Sequence, residues 1–200
     1  MPTPATGRRT SYAERRERRA AVDDPALVLE AAARFLESRA RSAAEVRRRL
    51  TGTGYRADLV DGAIERLLEL GMLDDEAFAR AWVESRDRAR PRGERAIRQE
   101  LARAGVDRST VDLVLSERRE AVAGVAADDG AAASADHAAA ERLIARHART
   151  LARVADPRQR RQRAYALLAR NGFDPDVCRA VAAGVDREPG GDEGLASEDD

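Results

Sequence analysis

A leucine that is followed four residues later by glycine, and then by an apolar residue, recurs three times along the chain. The copies are Leu50 with Gly54-Tyr55, Leu101 with Gly105-Val106, and Leu168 with Gly172-Phe173. Glycine accepts the left-handed backbone that ends a helix, and the apolar residue after it folds back onto the last turn. Apolar residues at helical spacing follow each copy. The repeat therefore predicts three units, each with a second helix that ends at glycine and a third helix after it.

The apolar spacing excludes a β fold. No segment alternates with period two, and no β-branched cluster suggests a strand. Aromatic residues make up only 4% of the 200 residues, which favours several small helical cores over one large core. A unit of about 45 residues is marginally stable alone, and units packed in series bury more surface. We predict an all-α fold: an elongated array of three tandem three-helix repeats, with a flexible N-terminal arm and a C-terminal tail.

Capping residues and charge set the predicted boundaries. Ser42-Ala43-Ala44-Glu45 is a capping box, and Asp156-Pro157 and Asp174-Pro175 are helix starts. The arginine-rich N-terminus lacks periodic apolar residues, which is typical of a flexible basic arm, with a helix possible near its end. The acidic, glycine-containing C-terminus is typical of a disordered tail. The predicted segments are a basic arm at 1–24, repeat 1 at 25–71, repeat 2 at 72–120, a linker or frayed helix at 121–136, repeat 3 at 137–186 and an acidic tail at 187–200.

Repeat 2 carries the most specific motif in the sequence. It runs Leu73-Asp74-Asp75-Glu76-Ala77-Phe78-Ala79, then Trp82-Val83, then Arg86, then Arg90-Pro91-Arg92-Gly93. This stretch resembles the central motif of the RecX family, in which L-D-D-x-x-F-A leads into a helix with an arginine and an R-P-x-G turn follows. The resemblance covers about residues 26–186, and repeat 3 departs more from the family pattern after a longer connector. The motif residues are Leu73, Asp74, Asp75, Phe78, Ala79, Trp82, Arg86, Pro91 and Gly93.

The resemblance implies a function as well as a fold. RecX-like proteins regulate the RecA recombinase, so the implied partner is the RecA filament, with the protein in the groove of the RecA–DNA complex. The implied activity is modulation, usually inhibition, of strand exchange, ATP hydrolysis and co-protease activity in DNA repair and the SOS response.

The motif also has a local physical interpretation. Asp74 is placed to cap a helix that begins at Asp75. Phe78, Trp82 and Arg86 are spaced by four, so they form one stripe in which Phe78 and Trp82 pack in the core and Arg86 lies toward the rim. Proline ends the helix, and the glycine after it permits a tight turn. We interpret the motif as mostly structural, because it fixes the unit that presents the arginines.

Arginine supplies every basic side chain, and it is concentrated in two stretches. One stretch is Arg86–Arg98; in the other, on the helix predicted near 140–154, four arginines share one face. Like charges one turn apart repel, which favours a phosphate or acidic-protein partner, with a solvated face as the alternative. Without interleaved aromatics, contact with single- or double-stranded DNA is expected to be to the backbone and salt-sensitive. The candidate RecA or DNA contacts are Arg86, Arg90, Arg92, Arg95, Arg98, Arg142, Arg146, Arg149 and Arg153.

Common catalytic patterns are missing from the sequence, including the G-x-S-x-G, Walker, H-E-x-x-H and EF-hand motifs. His137 and His147 are the two histidines, and the single cysteine, Cys178, is predicted to lie in the core. No apolar run is long enough to span a membrane, and no secretory signal is visible. We expect a cytoplasmic monomer with no metal, no cofactor and no enzymatic activity.

Two rival functions stay open. Three-helix units also build helix-turn-helix domains, so a stand-alone helical DNA-binding protein is possible. The third helices begin with Asp58, Asp107 and Asp174, which disfavours their entry into a DNA groove. The other rival is a helical-repeat scaffold for a different protein.

Overall fold

The computed structural model describes residues 11–126, with side chains up to 121, and residues 134–186. All regular secondary structure in these ranges is helical, which confirms the predicted all-α class. The α-helices are α1 Tyr12–Ala20, α2 Pro25–Leu36, α3 Ala43–Thr53, α4 Ala57–Glu69, α5 Asp75–Ala89, α6 Glu94–Ala104, α7 Arg108–Ala126, α8 Ala135–Ala152, α9 Pro157–Arg170 and α10 Pro175–Ala183, and a 3-10 turn follows at Gly184–Asp186. No helix in the described ranges is long and apolar enough to cross a membrane.

Helices lie within two of the predicted flexible segments. The basic arm contains a helix, α1, whose N-terminus is closed by a capping box between Ser11 and Glu14. Helix α7 reaches Ala126 and α8 begins at Ala135, so both helices extend into the predicted linker at 121–136. Residues 1–10, 127–133 and 187–200, which include the start of the arm, the middle of the linker and the acidic tail, lie outside the described residues.

The chain divides into two compact units. Of the described residues, unit 1 contains 11–80 and 101–111, and unit 2 contains 81–100, 112–126 and 134–186. The boundary runs through α5, α6 and α7, which are the helices predicted to form repeat 2.

Unit 1 has a core contributed mainly by α2, α3 and α4. Asp24 caps α2 by accepting the amide hydrogen of Ala26, and Ser42 caps α3 by accepting that of Glu45. The apolar faces of these helices then meet, at a gain of about 1.5–3 kcal/mol for each large side chain fully buried. The buried residues are Val28, Ala32, Val46, Leu50, Val60, Ala63, Ile64, Leu67 and Leu73.

Unit 2 has cores built from α8, α9 and α10. Alanines at the contacts let the helices approach closely around the buried ring of Phe173. Cys178 is fully buried, as predicted, and desolvation raises the pKa of its thiol. One cluster consists of Ala139, Ala140, Leu143, Leu168, Phe173, Cys178 and Val181, and a smaller one of Leu151, Ala164 and Ala182.

The three repeat glycines adopt the predicted left-handed backbone. The φ angles are +112° at Gly54, +83° at Gly105 and +81° at Gly172. The apolar residue after each glycine donates its amide hydrogen back to the repeat leucine, over 3.2 Å from Tyr55, 3.1 Å from Val106 and 3.4 Å from Phe173. The repeat in the sequence is therefore a repeat of one hydrogen-bonded helix ending.

All three glycines also lie where a side chain does not fit, and at Gly105 and Gly172 the neighbour is an alanine. A Cβ atom on Gly105 would lie 2.3 Å from the Cβ of Ala44 in unit 1, and one on Gly172 would lie 2.5 Å from the Cβ of Ala96 in unit 2. Both distances are far below van der Waals contact. Glycine is thus required by the backbone angle and by the neighbouring helix together.

Replacing Gly105 by alanine should lower the free energy of unfolding by about 1–3 kcal/mol, because the left-handed backbone and the Ala44 contact both become unfavourable. Urea denaturation followed by circular dichroism measures this change. The matched control is Gly62→Ala, which lies inside α4 with nothing within 4 Å of its added Cβ and should stabilise the protein slightly. Equal stability of the wild type and Gly105→Ala would contradict the account.

Candidate interaction site

The first half of the motif is packed into unit 1. The Asp74 carboxylate accepts the amide hydrogen of Ala77 over 2.9 Å, which is the helix cap predicted for this residue. The Asp75 carboxylate accepts the amide hydrogen of Ala43 over 2.9 Å, a contact that the sequence did not indicate. The apolar members of this half, Leu73, Phe78 and Ala79, are buried.

The second half of the motif converges on one carboxylate in unit 2. Trp82 Nε1 donates to Glu100 Oε2 over 2.8 Å, and Arg86 Nε donates to the same oxygen over 2.6 Å. The Arg86 guanidinium also stands 4.5 Å from the centroid of the Trp82 ring. Trp82 is therefore half-buried and hydrogen-bonded to a carboxylate, rather than packed in the core. Arg86 forms an ion pair within the unit, rather than lying unpaired at its rim.

The R-P-x-G turn packs against the end of α9 within unit 2. Gly93 donates its amide hydrogen to the carbonyl of Asn171 over 3.0 Å, and Arg92 Nη1 donates to Asn171 Oδ1 over 2.8 Å. A Cβ on Gly93 would lie 2.3 Å from the carbonyl oxygen of Gly172. Pro91 is fully buried beside this contact. Glycine is needed here for close approach of two backbones, a reason that adds to the predicted tight turn.

A buried arginine that the sequence reading missed joins three helices of unit 2. Arg118 is only 7% exposed and forms two 2.9 Å hydrogen bonds to Asp87 and one of 2.6 Å to Asp136. Desolvation lowers the pKa of Arg118, but the hydrogen bonds to both carboxylates more than offset this and hold it above its usual value. Asp136 also accepts the amide hydrogen of Glu94 at the start of α6. The available signal was an arginine on the apolar face of α7, four residues after Val114.

Five of the nine candidate arginines make internal contacts in unit 2. Arg86 and Arg92 bind the groups described above, and Arg98 pairs with Glu94 over 2.9 Å and also with Asp112. Arg142 lies 3.6 Å from an Asp87 carboxylate oxygen. Arg146 donates to the carbonyls of Arg88 and Ala89 at the end of α5, where the negative end of the helix dipole favours a cation. These contacts neutralise part of the arginine face, for which the sequence favoured an outside partner and left a solvated face as the alternative.

The other four candidates are exposed. Within the described residues their side chains form no hydrogen bond or ion pair, so their guanidinium groups are available to a partner. Arg146 of α8 bonds to the end of α5, so the arginine face of α8 lies next to Arg90, the residue that follows α5. We call the four exposed candidates the open arginines: Arg90, Arg95, Arg149 and Arg153.

The histidines have local partners. His147 Nδ1 lies 2.9 Å from the Leu143 carbonyl oxygen, and His137 lies 3.4 Å from Glu141. In the part of the chain that the structure describes, no group of three or more metal-binding side chains is placed to hold an ion.

Family models match the chain at all three helical domains. The first three-helix domain of RecX matches residues 29–67, the second matches 74–115 and the third matches 135–181. Regulatory protein RecX of Mycobacterium avium is 32% identical over 151 residues, which cover 75% of this chain and 80% of that protein. The chain belongs to the RecX family. RecX is a family of regulatory proteins, and the predicted resemblance is confirmed.

Other comparisons agree with this family. Regulatory protein RecX of Mycolicibacterium vanbaalenii is 33% identical over 147 residues, which cover 70% of this chain and 72% of the relative. The crystal structure of RecX from Lactobacillus salivarius superposes with a TM-score of 0.65 at 19% identity, over 82% of this chain and 97% of that one. A crystal structure of another regulatory protein RecX gives a TM-score of 0.64 at 18% identity, over 88% of this chain and 79% of that one. These structures share the helical fold.

Replacing Glu100 by alanine should lower the free energy of unfolding by about 1–3 kcal/mol, because Trp82 and the largely buried Arg86 lose their shared acceptor. The emission of Trp82, the only tryptophan, should change at the same time. Chemical denaturation followed by fluorescence reads both effects. Glu84→Ala, which removes an exposed pair with Arg88, is the control and should cost under about 0.5 kcal/mol. A loss no larger than that of the control would show that Glu100 does not organise this cluster.

Proposed function

We propose that the protein is a regulator of the RecA recombinase that binds the RecA–DNA filament and inhibits its strand-exchange, ATPase and co-protease activities. Membership of the RecX family of regulatory proteins supports the role. The observation that carries the proposal is the set of open arginines in unit 2, which are exposed and have no internal partner among the described residues.

The chemistry of the open arginines fits this partner. A guanidinium group presents a planar fork of donors that matches phosphate and carboxylate oxygens. A RecA–DNA filament offers both, as the DNA backbone and as acidic protein side chains. Each phosphate contact releases counterions, so binding through Arg149 and Arg153 should weaken steeply as salt is added.

Regulation of this kind requires binding alone. The arginines that pair internally hold α5, α6 and α8 in place, and the open arginines then contact the filament. Occupation of the filament groove changes filament stability or blocks access, and no bond is made or broken by the regulator. The protein would act as a monomer in the cytoplasm, where RecA acts.

A stand-alone DNA-binding role is the second candidate, because the same exposed arginines suit DNA phosphates without RecA. The two roles predict different relative affinities for the RecA–DNA filament and for bare DNA. A RecA regulator binds the RecA–DNA filament more tightly than bare DNA, whereas a stand-alone DNA-binding protein shows no such preference.

The direct test is the DNA-dependent ATPase of RecA with this protein added in substoichiometric amounts. The wild type should inhibit, and Arg149→Glu with Arg153→Glu should raise the concentration needed by roughly tenfold, equivalent to about 1.4 kcal/mol. Arg66→Glu with Arg103→Glu, exposed positions of unit 1, makes the same change in net charge and should inhibit like the wild type. No effect of the wild type at any ratio would refute the proposal, and equal losses in both variants would refute the assignment of the surface.

A further inference from the structure

Unit 1 contains an arginine cluster that lies outside the nine candidate contacts. A pocket of about 300 Å³ opens between α1, α2 and α3, and three arginines line it: Arg19, Arg34 and Arg49. Two aromatic rings, Phe35 and Tyr55, also line it, and none of its lining residues is acidic. The five residues come from four parts of the sequence, because Arg34 and Phe35 are consecutive, and the fold brings these parts together.

Two of the guanidinium groups lie over the aromatic rings, and the Phe35 ring also carries Arg41, 4.3 Å from its centroid. The Arg49 guanidinium lies 5.7 Å from the centroid of Phe35, and that of Arg19 lies 5.7 Å from the centroid of Tyr55. Both distances are within the range of cation–π attraction. Arginines held in this way lose less conformational entropy when they bind a ligand.

Helix α1 completes the pocket by packing on the end of α3. The Tyr12 hydroxyl donates to the Gly52 carbonyl over 3.2 Å, and Arg19 Nη1 donates to the Thr53 carbonyl over 3.4 Å. The backbone of Arg16 also lies against Gly54, since a Cβ on this glycine would be 2.7 Å from the Arg16 carbonyl oxygen. The helix of the basic arm thereby delivers Arg19 to the pocket.

The positive charge of the pocket is largely unbalanced from within. Among the described residues, the Arg49 side chain makes no hydrogen bond or ion pair, and the Arg19 guanidinium has only a neutral carbonyl as acceptor. Arg34 pairs with Glu30, but the two side chains are 66% and 62% exposed, so this pair is weak. Cations that converge on one concave surface attract an anion and raise its local concentration.

We propose that this pocket binds a backbone phosphate of single-stranded nucleic acid, with Arg34 and Arg49 contacting the phosphate and Arg19 closing the pocket from α1. The pocket is at the small end of the range for ligand sites, which suits one nucleotide unit. A single strand bends one phosphate into a recess readily, whereas a duplex is stiff and must be deformed to do so. The inference deepens the proposed function, because it assigns a contact to the single strand in the RecA–DNA filament. It rests on the proposed function only in naming that filament as the place where the strand is bound.

The test measures binding of a fluorescein-labelled oligothymidylate to the full-length protein by fluorescence anisotropy, without RecA. Arg34→Gln with Arg49→Gln should raise Kd by roughly tenfold and lower the slope of log K against log salt by about 0.7, the loss of one phosphate contact. The control, Arg47→Gln with Arg66→Gln, removes two ion-paired surface arginines of unit 1 and should change Kd less than about twofold. All four positions are exposed, so circular dichroism should show folded variants.

Each outcome separates the site from its alternatives. Wild-type affinity in the pocket variant, or equal losses in pocket and control variants, overturns the inference. Preference for a duplex of the same length, or displacement of the strand by equimolar thymidine monophosphate or inorganic phosphate, overturns it as well, because the site would then be for another phosphate source. If the pocket variant loses strand binding and the wild type has no effect on RecA, the pocket is upheld and the proposed function is rejected. If the wild type inhibits RecA but the pocket variant binds the strand as tightly as the wild type, the proposed function is upheld and the pocket is rejected.

Discussion

The left-handed glycine turn is the constraint on which the rest of the structure depends. At each copy the backbone ends one helix and the following apolar residue bonds back to the repeat leucine, so the next helix starts in a fixed direction. The absence of a side chain also lets Ala44 approach Gly105, and Ala96 approach Gly172, at distances that no other residue permits. Cores made largely of alanine, valine and leucine suffice because these turns bring the helices close together.

Features that depend on local sequence could be predicted, and features that depend on tertiary approach could not. The glycine turns and the Asp74 cap follow from residues within one helix length. The roles of Glu100 and Arg118 require knowledge of which helices meet, because each binds partners on other helices. The pocket around Phe35 has the same origin. Its arginines and aromatic rings come from four parts of the sequence, and only Arg34 and Phe35 are adjacent. The expectation that aromatics do not interleave with arginines does not describe this surface.

The arginines of unit 2 fall into two classes that sequence spacing does not separate. Arg142 and Arg149 share a helix face, yet the first lies beside Asp87 and the second has no partner within the described residues. The difference arises because the end of α5 presents carbonyls and a carboxylate to only one part of that face. Some arginines therefore serve to assemble the unit, whereas the side chains of the open arginines make no such internal contact within the described residues.

The most direct measurement is a cryo-electron microscopy structure of the protein bound to a RecA filament on single-stranded DNA. If the open arginines form the contact surface, the guanidinium groups of Arg149 and Arg153 lie within hydrogen-bond distance of DNA phosphates or RecA carboxylates, while Arg86 stays paired with Glu100. A complex in which unit 2 turns these two arginines to solvent and contacts the filament by another face would contradict the account.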